Sequence, residues 1–174
     1  MASRYTAVMP RGLKRYHESG QTHFITFSCY HRRPLLRPPE AAQVFEAELE
    51  SVRRAYCLRV YGYVVMPDHV HLLVSEPERS SLAEAIKALK QGVSRRLRTE
   101  DGRFWQTRYY DFNVRDERKR IEKLRYIHRN PVNAQLCVNP EDWPWSSFRH
   151  YSDGQVGTVE IESEHTARRR DISP

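Results

Sequence analysis

The stretch Tyr63-Val-Val-Met-Pro-Asp-His-Val-His-Leu-Leu-Val74 predicts two strands joined by a turn at Met66-Pro67-Asp68. Successive strand side chains point to opposite faces, so His69, His71 and Leu73 share one face. The alternate side chains are apolar and are expected to pack against helices: Val70, Leu72 and Val74. Two neighbouring imidazoles form half of a metal site, since neutral imidazole is a common protein metal ligand. A pair of this kind can also be a hydrogen-bonded filler, so a third ligand is required before it indicates chemistry.

The segments around this hairpin predict an α+β fold of the ferredoxin-like (split βαβ) class. In order, the predicted elements are strand 22–30, helix 40–56, strand 58–66, a strand from position 69, helix 81–98 and strand 104–114. This order is typical of an antiparallel sheet with two helices on one face. In the strand 58–66, one face is expected to carry all of the following: Leu58, Val60, Val64 and Met66.

A third helix is predicted to lie on the histidine side of the sheet. Acidic Asp116-Glu117 opens it, and it is expected to end at Asn130 because the residue before Pro131 avoids the helical conformation. Tyr126 and Asn130 are four residues apart and therefore lie on one helix face. Residues 1–151 are interpreted as a single domain with a basic N-terminal arm. The polar segment 152–174 is interpreted as a flexible tail.

Composition and charge favour a nucleic-acid partner. The chain has 174 residues, a net charge of +7 and a pI near 9.5. Such a balance favours a polyanionic partner, although a basic protein can also simply be basic. Three scattered cysteines suit reduced thiols, and no apolar run approaches the roughly 20 residues that span a bilayer. We therefore expect a cytoplasmic protein.

These residues together suggest a phosphoryl-transfer site. His69 and His71 would hold a divalent metal, with the amide oxygen of Asn130 as third ligand. Mg²⁺ or Mn²⁺ suits this mixed nitrogen and oxygen shell, although Zn²⁺ would also bind two imidazoles. Tyr126 would attack a phosphodiester and form a covalent phosphotyrosine. Asp68 is expected to shape the turn.

Three motifs resemble those of the single-tyrosine HUH transposases, and among them the REP-associated tyrosine transposases (RAYT). They are Met66-Pro-Asp-His-Val-His-Leu-Leu73, Phe104-Trp-Gln106 and Leu124-Arg-Tyr-Ile-His-Arg-Asn-Pro-Val132. The resemblance implies an endonuclease that cuts single-stranded DNA through Tyr126, leaving a 5′-phosphotyrosine and a free 3′-hydroxyl. It also implies a metal on the two histidines and recognition of palindromic REP hairpins in a bacterial genome.

The chain departs from the mobile relatives at one position. These relatives often carry Gln where Asn130 stands, so the shorter side chain leaves the third ligand open. The resemblance further implies a monomer with Tyr126 acting in cis, while a dimer that exchanges the tyrosine helix stays possible. For the hairpin itself, the dense positive charge predicts these DNA-binding residues: Arg11, Lys14, Arg15, Lys87 and Lys90.

Two other functions fit part of the pattern. A ferredoxin-like sheet with exposed aromatic residues can bind single strands or hairpins by stacking without catalysis, as a transposase-derived binding module would. A metal-dependent phosphodiesterase that uses water would need no tyrosine nucleophile. The combination of His69, His71, Tyr126 and Asn130 favours strand cleavage and transfer over both.

Overall fold

The computed structural model describes residues 22–172, which form a four-stranded antiparallel sheet of order β2-β3-β1-β4. The strands are β1 (Thr22–Ser28), β2 (Val60–Val65), β3 (His69–Ser75) and β4 (Tyr110–Val114). The helices are α1 (Pro39–Tyr56), α2 (Leu82–Arg96), α3 (Glu117–Asn133), α4 (Phe148–Asp153) and α5 (Glu164–Ile172), and short 3-10 turns span Tyr30–Arg32 and Pro140–Asp142. The order of β1 to β4 with α1 and α2 confirms the predicted ferredoxin-like fold.

Apolar side chains pack on both faces of the sheet. Helices α1 and α2 cover one face, where the predicted apolar set of β3 is buried together with residues of β1 and α1: Ile25, Phe27, Phe45, Val70, Leu72 and Val74. Helix α3 covers the other face through Ile127, which packs with Phe24 and Leu73. The face of β3 that carries the histidines therefore packs against α3.

A bulge in β2 corrects the expectation that four of its apolar side chains share a face. The register with β3 shifts between Val60 and Gly62. Val60 packs with α1 and α2, whereas Val64 and Met66 pack with α3. One extra residue in a strand reverses the faces of everything that follows it. At this bulge α3 approaches closely, since a Cβ on Gly62 would lie 2.5 Å from Cδ1 of Leu124.

Two predicted element boundaries were wrong. Helix α3 continues through Pro131 to Asn133. A proline in the last turn removes a single backbone hydrogen bond, and its ring is buried here, which offsets that cost. Strand β4 begins at Tyr110 instead of residue 104. The preceding segment keeps a short antiparallel bridge between Trp105 and Cys29, just beyond β1. Lys90 then holds its backbone, because Nζ donates to the carbonyl oxygens of Gln106 (2.7 Å) and Thr107 (3.2 Å).

Residues 152–172 pack against the core, in contrast to the flexible tail that was predicted after residue 151. Val159 and Ile161 are buried in the core. Ile161 forms a parallel bridge with Val60, and the backbone N–H of Glu162 donates to the Val60 carbonyl (2.8 Å). Two buried apolar side chains and free hydrogen-bonding groups on the β2 edge are sufficient to order a segment that has no apolar periodicity of its own. Within residues 22–172, no helix is long and apolar enough to span a membrane.

Candidate active site

The two histidines lie on β3 immediately after the turn that joins it to β2. On the neighbouring strand β1, Thr26 stands opposite His71 and Ser28 stands opposite His69. The backbone N–H of Met66 donates to the carbonyl of His69 (2.8 Å), which closes the hairpin. His71 contacts Tyr126 and Asn130 of α3, and His69 contacts His71, so both imidazoles lie on the α3 side of the sheet.

The outer nitrogens of the two imidazoles converge. Nε2 of His69 lies 3.2 Å from Nε2 of His71. Each Nδ1 is held by a neighbour: that of His69 by Oδ1 of Asp68 (2.6 Å) and that of His71 by Oγ1 of Thr26 (2.7 Å). The Asp68 carboxylate accepts only, so Nδ1 of His69 carries the proton and its Nε2 is free to act as a ligand.

Asp68, which holds the imidazole of His69, is itself held by a salt bridge. Nε of Arg32 lies 2.9 Å from Oδ2 of Asp68. Burial raises the pKa of Asp68, but the hydrogen bond with His69 and the nearby Arg32 charge outweigh it, so the pKa of this carboxyl is lowered overall. Arg32 and His31 both have a left-handed backbone, with φ of 57° and 52°. Non-glycine residues with this backbone are sparse, and their presence beside the histidines is typical of a functional site.

His71 is held in its neutral form. Burial lowers its pKa well below the usual value, and the charges of His69, Arg32 and Lys123 lower it further. Its ring is 4% exposed and stacks on Phe24, with centroids 5.4 Å apart and planes at 17°. A neutral, fixed imidazole is the form that binds a metal ion.

The third side chain at this position comes from α3. The terminal amide nitrogen of Asn130 lies 3.1 Å from Nε2 of His71. A half-turn of the amide exchanges its nitrogen and oxygen, and would aim the oxygen at the same point. Across residues 22–172, no group of three His, Cys, Asp or Glu side chains could hold a metal ion. Among the described residues, the side chains that meet at this position are two imidazoles and an amide.

The donor set fits a divalent ion. Two nitrogen ligands about 2.1 Å from one ion, at the angles of tetrahedral or octahedral coordination, are separated by about 3.0–3.4 Å. The observed 3.2 Å between the two Nε2 atoms lies in this range. Two neutral lone pairs at this separation repel unless a cation or proton lies between them. The three predicted ligands are therefore brought together by the fold.

Tyr126 projects from the same face of α3, one turn before Asn130. Its ring contacts His71 edge-on at 5.2 Å between centroids and Phe24 at 5.8 Å. The side chain is nevertheless 45% exposed. A tyrosine that rests against the metal-ligand candidates and is also open to solvent can meet a substrate directly. This position suits a nucleophile better than a core residue.

The segment that carries this site matches a known protein family. Residues 17–130 match the family model described as "Transposase IS200 like". The chain belongs to the IS200-like transposase family. The family membership predicted from the histidine and tyrosine motifs is thus confirmed.

Individual relatives of this IS200-like transposase point to one branch of the family. It is 25% identical to the REP-associated tyrosine transposase of Escherichia coli K12 over 136 residues, which is 78% of this chain and 81% of the relative. A Haemophilus influenzae protein, whose name assigns it provisionally to the same type, is 30% identical over 117 residues, which is 60% of this chain and 66% of the relative. A solved structure of a REP-associated tyrosine transposase bound to a REP hairpin shares the fold, with a TM-score of 0.72 at 22% identity, covering 87% of this chain and 91% of that one.

In this transposase, the tyrosine helix is bound to its own sheet by a buried histidine. Nε2 of His128 lies 2.9 Å from Oγ of Ser147, which in turn accepts the backbone N–H of Tyr63 on β2 (3.0 Å). The sequence places His128 two positions after Tyr126, on roughly the opposite side of α3. It is therefore an anchor of the helix and does not reach the metal-ligand candidates.

This anchor makes stability depend on pH. Burial lowers the pKa of His128 to about 4, against about 6.5 in an unfolded chain. Protonation therefore favours the unfolded state, and the metal-free protein is expected to lose stability as pH falls from 6.5 toward 4, by up to about 3 kcal/mol from this group. Urea unfolding across this range should show a smaller loss for His128→Gln. The exposed His165→Gln serves as control, and equal pH slopes for wild type and His128→Gln would contradict the assignment.

The predicted DNA-binding residues fall in different environments. Arg11, Lys14 and Arg15 lie outside the described residues. Lys87 is exposed on α2, whereas Lys90 is half-buried, donates to two backbone carbonyls, and has its pKa lowered to about 8 by burial.

A groove beside α2 gathers positive charge and aromatic surface. Its volume is about 1080 Å³, and its lining includes Lys87, Arg95, Arg98, Arg103, Tyr30 and Trp105. Lys90 shapes its floor by holding the backbone before β4. Tyr30 and Trp105 are half-buried, and basic residues beside aromatic rings are the combination that binds single strands. Lys87 was predicted from the sequence and Arg103 was not, because only folding brings the loop before β4 next to α2.

Several site residues were not predicted from the sequence. Thr26 and Phe24 contact His71, and Arg32 contacts Asp68, yet all three lie about 40 residues upstream of the histidines. Asp68 was assigned to the turn and was not predicted to hold His69, although it directly precedes that residue. Thr26 could have been found by pairing the predicted first strand with β3, which places it opposite His71.

Proposed function

We propose that this transposase cleaves and rejoins single-stranded DNA at palindromic REP-type hairpins through a 5′-phosphotyrosine intermediate. The observation that carries the proposal is that two distant segments bring His69, His71, Asn130 and Tyr126 to one place, where Tyr126 is open to solvent. The names of its relatives support the substrate class: the E. coli relative is named a REP-associated tyrosine transposase, and a solved neighbour is bound to a REP hairpin.

His69, His71 and Asn130 would hold a divalent ion, Mg²⁺ or Mn²⁺. When bound, it would supply Lewis-acid polarisation of a non-bridging phosphate oxygen. The chain's own contribution is to fix the ligands. Thr26 and Asp68 hold the two Nδ1 atoms, which keeps both Nε2 atoms aimed at one point.

Tyr126 supplies the nucleophile. Its phenolic oxygen forms a bond to phosphorus while the bond from phosphorus to the 3′-oxygen breaks, and the phenolic proton ends on the released 3′-hydroxyl. The energy of the broken bond is retained in the phosphotyrosine, so a second 3′-hydroxyl can reverse the reaction and join a different strand. Strand transfer thus needs no external energy source.

The basic groove beside α2 is the proposed site for the DNA outside the cleaved position. Lys87 and the neighbouring arginines would contact phosphates, while the half-buried Tyr30 would contact a base. The N-terminal Arg11, Lys14 and Arg15 are proposed to extend this contact. Because these contacts are to phosphates, DNA affinity should fall steeply with salt.

We further propose that Tyr126 acts in cis in a monomer. Helix α3 is tied to its own sheet at three points: Ile127 in the core, His128 on Ser147, and Asn130 on His71. Exchange of this helix with another subunit would require all three contacts to break. This arrangement favours cleavage by a single chain.

The test uses hairpin-bearing single-stranded oligonucleotides. With Mn²⁺ or Mg²⁺ present, we expect a covalent protein–DNA adduct on a denaturing gel, and a chelator should abolish it. An adduct on single strands but not on the matching duplex is expected, since the site reads an unpaired strand. Hairpin binding that survives chelation with no adduct under any metal would favour the non-catalytic binding module instead.

A further inference from the structure

Lys123 occupies the same stripe of α3 as the nucleophile and the amide. Lys123, Tyr126 and Asn130 follow the i, i+3, i+7 spacing that aligns side chains along one helix face. This stripe faces the histidine side of the sheet. Lys123 therefore lies next to the site proposed above, on the side of Tyr126 away from Asn130.

The Lys123 ammonium rests on an aromatic platform that it shares with the site. Nζ lies 4.7 Å from the ring centroid of Phe24 and 4.9 Å from that of Phe112. The Phe24 ring also stacks on His71 and contacts Tyr126. One ring thus touches a metal-ligand candidate, the proposed nucleophile and a cation.

Charge balance around Lys123 is incomplete. Between residues 22 and 172, no carboxylate forms a salt bridge with its Nζ, and the adjacent Glu122 pairs with Lys119 instead (2.8 Å). The side chain is half-buried, and burial lowers its pKa. A partly buried cation that forms no salt bridge is costly. Neither the charge of Glu122, which Lys119 shares, nor contact with aromatic faces offsets this cost in full. An anion is the partner that this position lacks.

We propose that Lys123 binds a phosphate of the cleaved DNA strand next to the scissile bond, and so holds that bond at Tyr126. The inference rests on the proposed function, because it takes the same strand as ligand. The ammonium group would interact with the phosphate as a point charge, while contact with Phe24 and Phe112 holds the lysine side chain in place. Lys123 is thus a substrate-binding residue of the cleavage site.

The experiment compares Lys123→Met, Lys123→Arg and Lys119→Met. Methionine keeps the apolar contact with both rings and removes the charge, so the melting temperature of Lys123→Met should match or exceed that of wild type. Lys119 is the matched control, since it carries the same charge on the same helix but pairs with Glu122. For cleavage of a hairpin oligonucleotide, kcat/KM of Lys123→Met should fall roughly 10- to 100-fold, as expected for the loss of one charged contact. For Lys123→Arg and Lys119→Met, kcat/KM should fall only a few-fold.

Salt dependence separates a phosphate contact from a packing role. In a Tyr126→Phe background, which binds without cutting, the Lys123→Met change should reduce the slope of log affinity against log salt by about 0.7, the value for one single-strand phosphate. An unchanged slope, or equal losses for Lys123→Met and Lys119→Met, would overturn the proposal. Because binding is measured apart from cleavage, a wild-type protein that binds but never cuts would refute the proposed function and still test Lys123.

Discussion

Replacing Tyr126 with Phe is expected to abolish the covalent protein–DNA adduct and to slow strand cleavage by at least about 10⁴-fold, as removal of a nucleophile does in other covalent enzymes. The change deletes one oxygen atom from a side chain that is 45% exposed and makes edge-on ring contacts only. The ring contacts with Phe24 and His71 remain. Folding stability and hairpin affinity should therefore stay close to wild type, which gel-shift titration and thermal unfolding can check.

The matched control for this experiment is Tyr110→Phe. Tyr110 also lies on the α3 side of the sheet and contacts Phe24 edge-on at 6.4 Å, but it belongs to β4 and not to the tyrosine helix. It should retain adduct formation. An adduct that persists in Tyr126→Phe would show that another residue, or water, attacks the phosphorus, and would remove the proposed mechanism.

The same variant tests whether the tyrosine acts in cis. Tyr126→Phe protein retains its histidines, and His69→Ala protein retains its tyrosine. If α3 stays on its own sheet, a mixture of the two should form no more adduct than either alone. Recovery of adduct in the mixture would mean that subunits exchange the helix despite the contact of His128 with Ser147.

Replacing His71 with Ala is expected to have the second large effect, on metal binding. One of three ligand candidates is lost. Loss of a residue that only supports a ligand lowers metal affinity by up to about 100-fold, so loss of His71 itself should lower Mn²⁺ affinity by at least that factor. Wild-type protein at 100 times its dissociation constant should gain about 2.7 kcal/mol of stability from the metal, while His71→Ala should gain almost none. Thermal unfolding with and without Mn²⁺ measures this difference independently of DNA cleavage.

His165→Ala provides the control for that measurement. His165 is exposed on α5, where its ring lies against that of His150. Its loss should leave the Mn²⁺-dependent stabilisation unchanged. If His71→Ala were stabilised by Mn²⁺ as much as wild type, the two imidazoles would be structural, and the 3.2 Å separation of their Nε2 atoms would reflect a shared proton.

The order of the elements and the side chains that carry the proposed chemistry could be predicted from the sequence alone. Strand alternation placed His69 and His71 on one face, and helical spacing placed Tyr126 and Asn130 on another. Both periodicities are local properties of the backbone. They hold wherever the strand and the helix come to lie, which is why these residues could be predicted without knowledge of their partners.

How those faces meet, and which residues surround them, is set by contacts between segments that are far apart in the chain. The bulge at Gly62, the passage of α3 through Pro131 and the docking of Ile161 on β2 all depend on contacts between distant segments. Packing offsets the local cost of a proline or of an unpaired strand edge, and no local pattern records that gain.

The same reason explains why the supporting residues of the site were missed. Thr26 and Phe24 contact His71 because β1 pairs with β3. Lys123 contacts Phe24 because α3 crosses their sheet. Sequence periodicity assigns a side chain to a face, whereas its partner is set by strand register and helix position. The residues proposed to react could therefore be predicted from the sequence, whereas the environment around them is established by folding.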